Sequence, residues 1–375
     1  MCEEIIKKFY KERNIKESTM KGYDGAFKQY LLSQSSSSME DLLKEAVKEQ
    51  KNRIPLPETR LKQRLLQFRQ YLIDQNYATH TVTTYFSKVI SFYMHMDITI
   101  PQIKQAKLEK PYVSSYDDLP TKEELIKAFK MAKLPMKAFI TFQLSSGQAR
   151  AEACSLTVEQ FLKACSEYCD TNLPLLDQVK QLSLRDDVVP LFYLKRLKTG
   201  VYYYTCCGPE AVYFICKELL SRKDVQPDDA LFDMSYSYVC TEYKKLNDGL
   251  GLGRVGYYRK IRSHVIRKWH ATMLPLSPEE IDMLQGRTRS DIHETYIKLK
   301  PDRIKQMYMS VMNQVMLFPG RWMKGTNHEI PTGDTTYFQP PQPSNQSMDV
   351  SVYKEIGKLE ARIEMLEQRL KKLED

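Results

Sequence analysis

Only one pair of segments in this chain reads as extended; almost everything else reads as helix. Residues 188–194 (VVPLFYL) and 201–205 (VYYYT) are rich in β-branched and aromatic residues, and KRLKTG between them puts Gly200 near a turn. That pattern predicts one β-hairpin. On both sides of it apolar residues recur at spacings of three and four, with threonine, serine and proline marking helix starts. The expected class is mainly α, with a small β-sheet or hairpin in the later domain.

The chain has 375 residues, enough for more than one average domain. Residues 1–112 read as a small helical bundle. Ser18-Thr19 are expected to cap a helix carrying Tyr23, Phe27, Tyr30 and Leu31 on one face, and Ser33 to Ser38 to form a polar loop. MEDLLKEAVKEQ is a second helix, ending before Pro55 and Pro57. Thr59 to Gln75 is a third, with Leu61, Leu65, Phe68 and Leu72 as its stripe, and Thr79 to Met96 a fourth. Residues 113–120 are a linker, inside a wider stretch of prolines and lysines. There Lys104, Lys107 and Lys110 can follow a phosphate backbone, or simply be solvated.

A second domain spans residues 121–317. A capping box, Thr121 with Glu124, opens it. The buried-looking helix KAFITFQL stops at Ser145-Ser146-Gly147, and another helix opens at Thr157 with Gln160. After the hairpin, helices return at Pro209 and persist to about Leu317, with a further box at Ser277 and Glu280 and proline at the first helical position. Residues 318–349, rich in Pro, Gly, Gln, Asn and Ser, read as a flexible linker. In residues 350–375, Ile356, Ile363 and Leu370 recur at heptad spacing, as do Val352, Leu359, Leu366 and Leu373. That seam fits a parallel coiled-coil dimer, or an amphipathic helix folded back on its own chain.

Hydrophobic content of 42% and charged content of 27% suit a folded chain with a sizeable core. A net charge of +9 permits a polyanionic partner without demanding one. No apolar run is long enough for a membrane span, and MCEEIIKKFYKERNIK lacks a secretory core. The eight cysteines are therefore expected as reduced thiols in an intracellular protein. Cys165 and Cys169 have no second Cys or His pair at zinc spacing, so no metal is expected.

The residues able to carry chemistry cluster late. His264 and Arg267 stand one helical turn apart in RSHVIRKWHATML, and LQGRTRSDIHETYIK holds Arg287 and Tyr296. Upstream, Arg150 sits in SSGQARAEACSLT and Lys198 in the hairpin turn. Attack on a phosphodiester builds a phosphorane with added negative charge, so it needs fixed cations and a proton donor for the leaving oxygen. Arginine's planar fork meets two phosphate oxygens and stays charged. A phenol, with a pKa of about 10, needs help to become a nucleophile. Singly, each residue has an ordinary reading: a surface ion pair of Arg150 with Glu152, one hairpin lysine among several, a half-buried histidine, a tyrosine on a helix face.

Together and in this order they resemble the tyrosine recombinases of the phage-integrase type, especially integrases of archaea and their viruses. The resemblance covers roughly residues 15–317. It implies an N-terminal helical core-binding domain and a C-terminal catalytic domain that clamp DNA between them. ESTMKGYDGAFKQYLL and ATHTVTTYFSKVISFY are similar to two helices of the first. In the second, Arg150 is similar to the family's first arginine, Glu152 to a supporting carboxylate, and Lys198 in KTG to the hairpin lysine that acts as general acid. His264 and Arg267 match the His-x-x-Arg pair, Tyr296 the nucleophile, and KLKPDRIKQMYMSVMNQVM the helix after it. Arg262 and Lys268, beside the pair, are expected to contact DNA with Lys104, Lys107 and Lys110. Two departures stand out. Gly147 to Arg150 is one residue longer than the common Gly-x-Arg form, so Ala149 sits at the usual register. Arg287 stands where His or Trp is usual.

The resemblance implies a site-specific DNA recombinase or integrase. It would form a 3′-phosphotyrosyl link through Tyr296 and use neither metal, ATP nor other cofactor. Its partner would be double-stranded DNA carrying attachment sites, with a homotetramer on DNA and a dimer contact through residues 350–375. It would be DNA-associated in the cytoplasm or nucleoid of a prokaryotic host, with no membrane partner. Two alternatives share the features: a DNA-relaxing enzyme resembling type IB topoisomerases, and a DNA-binding regulator that has lost catalysis. Tyr308 is the second candidate nucleophile.

Overall fold

The computed structural model describes residues 4–35, 38–104, 115–287 and 300–322. Tyr296, Lys107, Lys110 and residues 323–375, with the heptad segment, lie outside the described residues. Within them the chain is mostly helical, with two small two-stranded antiparallel sheets.

The first body holds α1 (Glu4–Glu12), α2 (Glu17–Gln34), α3 (Met39–Lys51), α4 (Arg60–Asp74) and α5 (Thr79–His95). Its core is aromatic. Phe9 meets Phe92 edge-on at 5.4 Å, Phe27 meets Phe92 at 5.3 Å, and Tyr30 meets Phe68 at 5.1 Å. The stripe Leu61, Leu65, Phe68 and Leu72 is fully inside, so the helical period of α4 became its packing face. The hydroxyls of buried Tyr30 and Tyr93 bond each other at 3.1 Å, which satisfies both phenols away from water.

One local expectation fails here and another holds only in part. Ser18-Thr19 lie inside α2, whose N-cap is Lys16 without a side-chain cap. The polar run after Leu32 begins as helix: Ser33 turns its hydroxyl back onto the Tyr30 carbonyl at 2.7 Å, and α2 ends at Ser35 in the left-handed region. Ser38 then caps α3 through the amides of Glu40 and Asp41.

The second core is built around α7 (Leu134–Ser146), in which Phe139, Ile140, Phe142 and Leu144 are all buried. A helix apolar on every side must be wrapped by neighbours. The wrapping comes from α6 (Lys122–Met131), started by the Thr121–Glu124 box, from α11 (Pro209–Leu220), and from α13 (Ser263–Met273). α8 (Arg150–Cys154), α9 (Val158–Ala164) and α10 (Leu175–Ser183) lead to the hairpin. There β1 (Leu191–Lys195) pairs antiparallel with β2 (Tyr202–Cys206), with Leu194 opposite Tyr203. Phe192, Leu194, Tyr203 and Thr205 face inward, while Tyr193, Lys195 and Tyr202 face out.

The expected unbroken helical run after Pro209 is interrupted. Between α12 (Tyr236–Gly249) and α13 a second hairpin forms, β3 (Arg254–Val255) with β4 (Tyr258–Arg259). Strands of two residues are too short to show a period in sequence. α14 (Pro278–Gln285) starts at the Ser277–Glu280 box. Pro301–Val311, a short turn at Met312–Val315 and the helix Pro319–Trp322 complete this body. The segment leading into the last of these is pinned to α11: buried Glu210 accepts hydrogen bonds from the amides of Leu317 and Phe318, both at 2.9 Å.

Candidate phosphate-binding site

Gly147 ends α7 with φ 61°, a conformation that favours glycine. Space imposes the same choice: a Cβ here would lie 2.5 Å from His270 Nδ1 and 2.7 Å from Gln285 Nε2. Gly286 ends α14 in the same way, with φ 61° and room for no Cβ beside the Tyr203 ring. The two glycines bring two helix C-termini to one point, and Arg267 of α13 fills it. Its Nη1 donates to the Gly147 carbonyl and its Nη2 to the Gln285 carbonyl, both at 2.8 Å. Helix C-termini carry partial negative charge, which suits a buried cation.

Gln285 locks the group from behind. Its Nε2 donates to the Arg267 carbonyl at 3.1 Å and lies 2.9 Å from His270 Nδ1. His270 is fully buried, and its pKa falls to about 3 through burial and then the charge of Arg267, so the ring is neutral.

The surroundings of Arg267 are strongly positive. Burial, then the charges of Arg196 and Arg287, bring its pKa down to about 10, against an opposing pull from Glu152. His264, exposed on the first turn of α13, is also shifted down, first by partial desolvation and then by Arg262, Lys268, Arg267 and Arg287. Its imidazole is therefore held neutral near pH 7, able to donate one hydrogen bond and accept another. Arg287 is exposed and pairs with Asp282 at 3.3 Å. His264, Arg267 and Arg287 thus act on one another, with Glu152 beside them. Such a group can hold an oxyanion and stabilise added negative charge.

Arg150 and Lys198 are placed differently. Arg150 opens α8 and turns toward α12, its guanidinium stacked 3.7 Å over the Tyr236 ring with Nη1 on Cys240 Sγ. Lys198 is exposed in the hairpin turn, where the carbonyls of Leu197 and Lys198 accept from Lys16 Nζ of the first body at 3.4 and 3.5 Å. Arg262 stacks over Tyr258 at 4.2 Å, Lys268 is half-buried on α13, and Lys104 is exposed, with its carbonyl bonded to Arg69 at 2.6 Å. Tyr308 is fully buried, its hydroxyl 2.6 Å from Ser145 Oγ and donating to the Ser145 carbonyl at 3.0 Å, with its pKa raised by burial. A phenol in that position cannot meet DNA.

Three neighbours of the cluster were not anticipated from sequence. Gln285 and Tyr203, whose hydroxyl bonds Gln148 Oε1, frame it. Arg196 pairs with buried Glu152, Nη1 to Oε1 at 2.9 Å. Strand alternation could have found Arg196: Phe192 and Leu194 face inward, so residue 196 continues that face. Among the described residues no three His, Cys, Asp or Glu side chains group as metal ligands, and no helix is long and apolar enough to cross a membrane.

No protein-family model matches the chain, and no curated protein does. Among solved structures it is similar to XerA recombinase (16% identity, 82% of this chain and 96% of that one, TM-score 0.33). It is also similar to a lambda integrase fragment, 75–356, solved as a dimer bound to a COC′ core site (14% identity, 79% and 98%, TM-score 0.49). A third similar structure is the Tn1549 transposon integrase, 82–397, in complex with circular intermediate DNA (13% identity, 81% and 97%, TM-score 0.40).

Proposed function

We propose that this chain is a site-specific DNA recombinase of the integrase type. The observation that carries the reading is the cationic group around Arg267: a buried guanidinium fixed by two helix C-termini, with Arg287 and a neutral His264 beside it. Tyr296 attacks a DNA phosphate and forms a 3′-phosphotyrosyl link, freeing a 5′-hydroxyl. Arg267, His264 and Arg287 stabilise the phosphorane, with Glu152 in a supporting role. Lys198 protonates the leaving oxygen. The link conserves the energy of the phosphodiester, so resealing to a partner strand needs no ATP. Lys104, Lys107, Lys110, Arg262 and Lys268 contact the DNA backbone. Four protomers assemble on paired sites, and a coiled coil of residues 350–375 raises their effective concentration there.

The test is a nicked suicide duplex carrying a candidate attachment site. Wild type is expected to trap a covalent protein–DNA adduct and Tyr296→Phe none; an undiminished adduct in that variant refutes the nucleophile. A two-site strand-exchange assay separates recombinase from relaxing enzyme. The placement of Arg150 against α12 favours a second reading, a DNA-binding regulator without cleavage. It predicts specific DNA binding and no adduct on any substrate.

A further inference from the structure

The turn that enters α8 decides which arginine can serve the cluster. Arg150 and Glu152 are two residues apart in one helix, and residues at that spacing point to different sides. Glu152 points inward and is buried. Arg150 points to α12, where Tyr236 and Cys240 engage it. Ala149, the helix N-cap, is three residues before Glu152 and carries no charge. The inward carboxylate must therefore find its cation elsewhere, and that cation is Arg196.

Arg196 is well placed and incompletely used. Its backbone is fixed at the base of the hairpin turn: its amide donates to the Val201 carbonyl at 2.8 Å, and its carbonyl accepts from Gly200 at 2.7 Å. Its side chain is 15% exposed, and it acts on both Arg267 and Tyr203. Nη1 is buried 2.9 Å from Glu152 Oε1 yet is not aligned for a hydrogen bond, so charge alone holds the pair. Among the described residues no other side-chain partner of Arg196 is present. A guanidinium carries five N–H groups in a fork suited to two phosphate oxygens.

We propose that Arg196, oriented by Glu152, grips the substrate phosphate beside Arg267, and that Arg150 does not. The assignment rests on the reading of this cluster as a phosphate site. The nearby positive charges repel one another, and an anion between them relieves that repulsion.

The test titrates full-length protein with inorganic phosphate at low salt, followed by calorimetry, alongside the suicide-duplex assay. Arg196→Gln is expected to weaken phosphate binding by roughly 10- to 100-fold, the effect of losing a charge-assisted bond. Arg150→Gln is expected to leave it within about twofold. Because Arg196→Gln strands a buried carboxylate, Glu152→Gln with Arg196→Gln removes both charges. If Arg196 only neutralises Glu152, the double variant recovers phosphate binding, which overturns the assignment. Continued loss in a folded double variant, with partial recovery in Arg196→Lys, supports it. Unchanged affinity in Arg196→Gln, loss in Arg150→Gln instead, or no phosphate binding by wild type each overturns it. Arg196-dependent phosphate binding without an adduct on any DNA leaves this assignment standing and removes strand cleavage.

Discussion

Replacing Gly147 by alanine tests the construction of the site more sharply than deleting any of its cations. Two costs are separable there. The first is conformational: alanine at φ 61° costs about 1 kcal/mol. The second is steric: the new Cβ would stand 2.5 Å from His270 Nδ1 and 2.7 Å from Gln285 Nε2, so both side chains must move. Their movement breaks the Gln285 bonds to His270 and to the Arg267 carbonyl, at roughly 1 kcal/mol each. The expected loss is therefore about 3 kcal/mol. Gly251 supplies the control, with φ 63° and nothing within 4 Å of its Cβ position; Gly251→Ala is expected to lose only about 1 kcal/mol. Both tryptophans, Trp269 and Trp322, are buried in the second core, so fluorescence-detected urea unfolding follows that body. Equal losses in the two variants, or a Gly147→Ala protein within about 1 kcal/mol of wild type, refute the close-packing account of the Arg267 clamp.

Further outcomes follow from the same contacts. Burial pushes the Glu210 carboxyl up from 4.5 to about 7, so its stability contribution is complete below pH 4.5 and is lost as pH rises through 7. Relative to Glu210→Gln, wild type should lose about 3 kcal/mol of unfolding free energy between those limits; parallel pH curves for the two proteins contradict this. Tyr308→Phe removes a buried hydroxyl bonded twice to Ser145 and should cost roughly 1–3 kcal/mol, while any covalent DNA adduct persists; loss of the adduct in a folded Tyr308→Phe protein counts against Tyr296. Arg287→Gln removes one of the cations that lower His264, so the NMR-detected pKa of that imidazole should rise toward its ordinary 6.5, and an unmoved titration shows that Arg287 does not act on it.

The parts of the fold legible in sequence are those set by local chemistry. The capping boxes at Thr121, Thr157 and Ser277 each fold with both reciprocal bonds, because a hydroxyl and a carboxylate or amide three residues on are sufficient to satisfy two amides. The α4 stripe and the β1–β2 hairpin were equally plain, since their periods are intrinsic. The start of α2 was not. Ser18-Thr19 offers a good local cap, but Tyr10 bonds Asp24 at 2.6 Å and packs edge-on against Tyr23, and the helix reaches back to Glu17. Tertiary packing overrode the cap preference there.

The site divides along the same line. His264 and Arg267 share a helix, so their spacing fixes their juxtaposition. Arg150, Glu152 and Lys198 depend instead on where α8 begins and which hairpin face turns inward, quantities no single spacing sets. A one-residue change in a helix start rotates a side chain by about 100°. That rotation is the difference between an arginine over Tyr236 and one beside Glu152. The longer Gly147-to-Arg150 interval is thus a change of direction, not of distance. Once α8 starts at Arg150, its first arginine faces α12, and the buried carboxylate on the other side draws its cation from the one inward basic residue of the hairpin.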